Sequence, residues 1–268
     1  MKRSLPPQVA SETSEAVAKK ARSIDEDSGL DDADLLAAVP SETEAAIQLV
    51  SARFPSAGVL GGAMPPLALK HQLYAVVNDR TLVDRQLVDL SQRGVVQQFH
   101  LTTGLDEYAV VFQSDYKRHV QGCCVSTDTE SDIGKLVDSL LEGVHGDVTV
   151  SKELLKERLE FSESDVTLLV SSGVLVMCNV NAWYLAIPNA SVFVKALTKG
   201  RQLILRSIRQ QRHKEILQLE LEQRRISGIR LGILYHIYDI KGGDYVTSVS
   251  TTSGDLLRLV EDKKKTRR

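Results

Sequence analysis

Between residues 195 and 214 the chain places seven lysines and arginines and no aspartate or glutamate. Ammonium and guanidinium groups without neighbouring carboxylates are phosphate ligands, so the chemistry on offer is binding of a polyanion. At about 100° per residue, Lys195, Lys199, Arg206, Arg209 and His213 fall within about 80° of one another on a helix. Phe193, Val194, Leu197, Ile204, Leu205 and Ile208 cover the opposite side. Arg201, Arg212 and Lys214 flank the stripe, and Arg224, Arg225 and Arg230 continue the basic run. An ordinary solvated helix face carries mixed signs and i,i+4 ion pairs, and this one does not. The candidate residues for binding a DNA or RNA backbone are therefore Lys195, Lys199, Arg201, Arg206, Arg209, Arg212, Arg224 and Arg225. Contacts of this kind position a protein on the phosphate backbone and carry no base sequence information.

Other chemistry has no comparable support. The sequence holds no Gly-x-Gly-x-x-Gly loop, no Gly-x-x-x-x-Gly-Lys-Ser/Thr, no His-Arg-Asp and no Asp-Phe-Gly. Phosphoryl transfer needs such a nucleotide cradle and metal-binding Asp and Asn residues at set places. Asp79-Arg80-Thr81 with Asp84-Arg85 reads as a turn and helix cap with local ion pairs. No catalytic residue, cofactor or metal site is predicted. His119 lies four residues before Cys123, half a metal site at best. The three cysteines, Cys123, Cys124 and Cys178, form no Cys-x-x-Cys pair and suggest a reducing, intracellular compartment. No apolar run has the length of a membrane span.

The elements that must carry the stripe can be read around it. Residues 195–268 hold 17 Lys+Arg against 8 Asp+Glu, a net of +9, whereas residues 1–194 hold 16 against 27, a net of −11. A basic final third on an acidic body suggests a nucleic-acid surface attached to a protein-interaction module. With aromatic content of only 5%, single-strand binding by base stacking is disfavoured. Composition predicts disorder over residues 1–40, with basic clusters at Lys2-Arg3 and Lys19-Lys20-Ala21-Arg22, and a basic tail over 261–268. Ser41-x-x-Glu44 predicts a capped helix start, and Pro65-Pro66 predicts a second helix over Leu67 to Val77. Thr81-x-x-Asp84 and Ser162-x-x-Asp165 each predict a capped helix that ends in Leu-x-x-x-Gly, at Gly94 and Gly173, before a β-hairpin. This repeat, two to three helices followed by a hairpin, is the winged helix-turn-helix pattern. A third, less regular unit combines a long helical stretch over Phe193 to Arg225, breaking at Gly200, with a helix over Ile229 to Ile240. A hairpin through Ser253-Gly254 closes it. The expected fold is α+β and helix-rich: three tandem winged helix-turn-helix domains over 41–121, 129–192 and 193–260. The predicted recognition helices of the first two carry Asp84 and Asp89, or Glu163 and Asp165, and suit protein partners better than DNA.

The motifs Pro65-Pro66-x-x-Leu69-x-x-Gln72-x-Tyr74 and Asp79-Arg80-Thr81-x-x-Asp84-Arg85-Gln86-Leu87 resemble the serine/threonine-protein kinase 19 family. So do Trp183-Tyr184-Leu185-Ala186-x-Pro188, Lys199-Gly200-Arg201-Gln202, Arg230-Leu231-Gly232-x-x-Tyr235-His236 and Ser250-Thr251-Thr252-Ser253-Gly254-x-Leu256-Leu257-Arg258-Leu259. The resemblance covers about residues 60–260 in the family's order. It implies tandem winged helices without a kinase fold, and a nuclear, chromatin-associated protein that binds double-stranded DNA. It further implies a role in transcription-coupled nucleotide-excision repair, in which the family joins the stalled RNA polymerase II complex and helps place TFIIH on DNA. The family's DNA contacts match Lys195, Arg209 and Arg224 here. A nuclear serine/threonine protein kinase and a sequence-specific winged-helix transcription factor are the alternatives.

Overall fold

The computed structural model describes residues 40–55, 58–60, 64–101, 107–124, 130–144 and 146–260. The expectations for the first 39 residues and for the basic tail fall outside them. Helix α1 (Glu42–Ser51) starts where the sequence places it, with Ser41 Oγ accepting from the Glu44 amide at 3.2 Å. The Pro65-Pro66 expectation fails. Ala68–Leu69 instead pair with Val110 and Ala109 of the later hairpin as a short strand, β1, before a single helical turn, α2 (Lys70–Leu73). Helix α3 (Arg80–Gln92) is capped two residues earlier than expected: Asp79 accepts from the amides of Thr81 and Leu82 at 2.9 and 3.0 Å. Gly94 ends it with φ +71°, a left-handed conformation that glycine adopts without steric cost. Strands β2 (Val96–Leu101) and β3 (Glu107–Phe112) form the predicted hairpin.

Helix α4 (Gln113–Cys124) leads to α5 (Glu130–Val144), β4 (Thr149–Ser151) and a π-helical turn, Leu154–Arg158. Helix α6 (Glu163–Ser171) has the predicted capping box, Ser162 Oγ accepting from the Asp165 amide and the Asp165 carboxylate accepting from the Ser162 amide. Gly173 stops it at φ +79°, and β5 (Leu175–Asn179) pairs with β6 (Ala182–Leu185). Then α7 runs unbroken over Ala190–Arg209. Neither the predicted break at Gly200 nor the extension to Arg225 occurs: β7 (Glu215–Leu217) and α8 (Gln218–Gln223) follow. Helix α9 (Ile233–Gly242) and the hairpin β8 (Val246–Thr251) with β9 (Gly254–Leu259) close the described chain.

The structure is α+β: helices with small antiparallel sheets. Each sheet has three strands, ordered β1-β3-β2, β4-β6-β5 and β7-β9-β8. The order helix, short strand, helix or helical turn, helix, hairpin thus recurs three times. Sequence periodicity missed the opening strands because two or three residues are too short to show alternation.

Packing joins these repeats. One core runs from Ala46 and Ile47 of α1 through Leu140 of α5 to Phe193 and Leu197 of α7 and Tyr235 of α9. A smaller core gathers Ile204, Ile208, Ile216, Leu221, Ile237, Ile240, Val246 and Leu257. At the first contact between repeats, Gln97 Nε2 donates to Asp147 O at 3.0 Å, and the His100 ring stacks on Tyr184 with centroids 5.0 Å apart. At the second, Gln72 Nε2 donates to Tyr235 O at 2.9 Å while Tyr235 Oη donates to Leu67 O at 3.2 Å. No helix among the described residues is long and apolar enough to cross a membrane.

Candidate nucleic-acid interface

Helix α7 is held by one face. Phe193, Ala196, Leu197, Gly200, Ile204 and Ile208 are buried, at spacings of three and four that form an apolar stripe. Burial of each large side chain among them contributes about 1.5–3 kcal/mol, enough in sum to decide which way the helix faces. The opposite face is therefore turned to solvent, and Lys195, Lys199, Arg206 and Arg209 on it are exposed. From Lys195 to Arg209 the axial rise is about 21 Å. Arg212, in the turn after the helix, and Arg225, after α8, are exposed as well. None of these six cations has a carboxylate partner among the described residues. Leu205, Gln202 and Gln210 join Arg206 and Arg209 in lining a shallow open groove at the end of the face.

Two candidates are placed differently. Arg224 is half-buried; its guanidinium donates to Glu220, one helical turn back, and to Ser207 Oγ at 3.4 Å. That exposed ion pair competes with phosphate only weakly. Arg201 does not belong to the face. Its side chain is 12% exposed and bonds Asp239 through two parallel contacts, Nε to Oδ2 at 2.8 Å and Nη2 to Oδ1 at 2.7 Å. Nη1 donates to Glu107 at 2.9 Å and to the Tyr245 hydroxyl at 3.3 Å, and the guanidinium stacks over the Tyr245 ring. Four of its five N–H donors are engaged in this way, so this buried guanidinium is not offered to a phosphate. Helical phase carried the warning, since Arg201 lies about 120° from Lys195 around the helix.

The Arg201 cluster ties α7 and α9 to the first repeat. His71 Nε2 donates to Asp239 Oδ1 at 2.7 Å, and Asp239 is fully buried. Burial by itself would raise the Asp239 carboxyl. The surrounding His236, His71 and Arg201 groups outweigh it and hold that carboxyl far below the usual carboxylate range. Burial likewise opposes the Arg201 charge, and the carboxylates of Asp239 and Glu107 more than restore it. His236 is itself fully buried and lies 3.8 Å from Asp239, with neither ring nitrogen hydrogen-bonded. Sequence reasoning missed this network because its members are spread from residue 71 to residue 245.

The third helix of each repeat is where a helix-turn-helix would enter a groove. Helix α9 is not available for that: Tyr235, His236, Ile237, Asp239 and Ile240 are buried against α2 and α7. Helix α3 exposes Asp84, Arg85, Val88 and Asp89, with Asp89 paired to Arg93 at 3.3 Å. Arg80 and Asp84, expected to pair locally, instead reach Asp244 and Lys70, each at 2.8 Å. Helix α6 exposes Glu163 and Val170 and no basic residue. The exposed cationic surface belongs to the first helix of the last repeat. His119 and Cys123 are 3.6 Å apart at their closest, but no group of three His, Cys, Asp or Glu residues that could hold a metal ion stands together among the described residues.

A family model described as inactive serine-threonine protein kinase 19 matches residues 41–259. Among curated relatives, Winged helix repair factor 1 of Homo sapiens is 36% identical over 231 residues, covering 86% of this chain and 90% of the relative. The protein of the same name from Xenopus laevis is 35% identical over 217 residues, 81% of this chain and 83% of the relative. A Schizosaccharomyces pombe protein named Serine/threonine-protein kinase mug51 is 24% identical over 112 residues, 39% of this chain and 37% of the relative.

Proposed function

From the premise that this chain belongs to the inactive serine-threonine protein kinase 19 family, we propose that it is a non-enzymatic adaptor that binds the backbone of double-stranded DNA during repair. Its setting is transcription-coupled nucleotide-excision repair in the nucleus, on chromatin, where it joins the stalled RNA polymerase II complex and helps position TFIIH. The observation that carries the reading is the exposed face of α7, on which Lys195, Lys199, Arg206 and Arg209 have no carboxylate partners among the described residues. The name of the human and frog relatives supports the repair setting. The architecture proposed is three winged-helix units, over 41–121, 129–192 and 193–260, in the order of the three repeated sheets. The third holds DNA through its first helix and the turn residues Arg212, Arg224 and Arg225. The first two offer acidic third helices to protein partners. A kinase reading rests on the name of the yeast relative, against a sequence without a phosphate cradle. A transcription-factor reading needs a groove-entering helix, and α9 is buried.

The test is binding to duplexes of unrelated sequence across a salt series. With about five phosphates engaged, log K falls against log salt with a slope of about −4 to −5. A flat salt response, or preference for one sequence by more than about a thousandfold, overturns the reading.

A further inference from the structure

The segment joining α8 to α9 carries Arg224-Arg225-Ile226-Ser227-Gly228. Ser227 is exposed, and its hydroxyl has no hydrogen-bond partner among the described residues. Arg224 is extended, at φ −70° and ψ 134°, and the chain turns at Ser227 and Gly228. A segment outside helix and strand, with guanidinium groups two and three residues before a free hydroxyl, is what an arginine-directed protein kinase recognises. The two forks pair bidentately with carboxylates in its substrate cleft. Arg225 is free to do so. Arg224 would have to give up its exposed pairing with Glu220, worth at most about 1 kcal/mol, and its hydrogen bond to Ser207 Oγ.

The turn also sits on the cationic face. The position a Cβ would take at Gly228 is 3.7 Å from Lys199 Cε, 3.9 Å from Lys199 Nζ and 3.3 Å from Leu203 Cδ1. The turn that carries Ser227 therefore lies against Lys199, in the surface assigned to DNA above.

We propose that Ser227 is a phosphorylation site for an arginine-directed serine/threonine kinase, and that its phosphate switches the α7 face off as a DNA ligand. In the transfer, Ser227 Oγ bonds to the γ-phosphorus of a nucleoside triphosphate and the bond from that phosphorus to the β–γ bridging oxygen breaks. The nucleoside diphosphate leaves, and the hydroxyl proton passes to a carboxylate of the kinase and on to solvent. The product carries about −1.5 to −2 charge at neutral pH. It pairs with Lys199 and Arg225, removes two cations from the face and repels the DNA backbone. The switching rests on the DNA-binding reading; the modification does not.

The experiment treats the full chain with the catalytic subunit of a cyclic-AMP-dependent protein kinase and Mg-ATP. It locates phosphate by mass spectrometry and measures affinity for duplex DNA at fixed and varied salt. Phosphate is expected on Ser227 at near one per chain, and the treated protein should bind duplex at least about tenfold more weakly, with a salt slope smaller by about 2. The Ser227→Ala variant should bind DNA within about twofold of the unaltered chain and ignore the kinase. Failure to modify Ser227 overturns the site. Modification without loss of affinity overturns the switch. If the untreated chain has no affinity for duplex, the proposed function itself falls and the switch with it, while the mass spectrum still decides the site.

Discussion

Lys199 and Arg201 stand two positions apart on one helix and do opposite work. Lys199 is exposed and unpaired, so Lys199→Glu should change stability by no more than about 0.5 kcal/mol while reducing duplex affinity at least tenfold. Arg201→Met should do the reverse. It leaves Asp239 buried without its main counter-charge, a change that costs about 3–5 kcal/mol, and it touches the cationic face only through the fold. Denaturant unfolding and duplex titration of both variants separate the roles. The same cluster gives a pH dependence. The Asp239 carboxyl is held below its ordinary range in the folded chain, so the unfolded chain binds its proton first. The stabilisation is fully present above the unfolded value of about 3.9 and is lost as pH falls below that toward the folded value. Unfolding free energies measured from pH 7 down to pH 3 should fall steeply at the acid end in the unaltered chain and less steeply in Asp239→Asn.

At the scale of elements, glycines decide where helices can approach. A Cβ at Gly200 would lie 2.0 Å from His236 Nε2, and one at Gly242 would lie 1.7 Å from the His71 carbonyl oxygen. Alanine normally favours a helix over glycine by about 1 kcal/mol. Here the fully buried imidazole has no room to retreat, so the clash should win. Gly200→Ala is expected to destabilise by about 1–3 kcal/mol, read as a lower Tm. The sequence pattern placed a helix break at Gly200 because glycine is a poor helix former; the residue instead permits α7 to lie against α9. Cap and stop signals were legible. Ser41, Ser162, Gly94 and Gly173 act as their types require, since each satisfies or ends a backbone locally. The cap was assigned to Thr81, and it falls on Asp79, two residues earlier. Replacing Asp79 with alanine should cost about 0.5–2 kcal/mol.

Across the whole molecule, the repeats share a core rather than standing apart. Leu67, Gln72 and Tyr235 pack together although they come from the first and third repeats, and the Arg201 cluster crosses the same seam. Thermal unfolding of the chain should therefore show one cooperative transition over residues 41–260, with calorimetric and van't Hoff enthalpies equal. Separate transitions for the third repeat would contradict the shared core. The charge split is also a property of the whole chain. Reversing Asp89 and Glu163 to lysine, on exposed helices far in sequence from α7, should leave duplex affinity within about threefold while weakening capture of the repair assembly in pull-downs. Equal damage to DNA binding would overturn the division of labour between acidic and basic repeats.

The amino-acid sequence alone determined whatever depends on neighbours along the chain. It marked the caps and stops, the three hairpins, the amphipathic phase of the long helix and the sign of its outer face. These follow from backbone hydrogen bonding and side-chain periodicity over a few residues. Only the tertiary structure decided which cations are free. Arg201 and Lys199 differ in use because Asp239 and Glu107, 38 and 94 residues from Arg201, are brought to one of them and not the other. It likewise decided that α9 is buried against α2 and α7. Those outcomes depend on which apolar faces meet, and hydrophobic burial is non-directional, so no local pattern announces its partner.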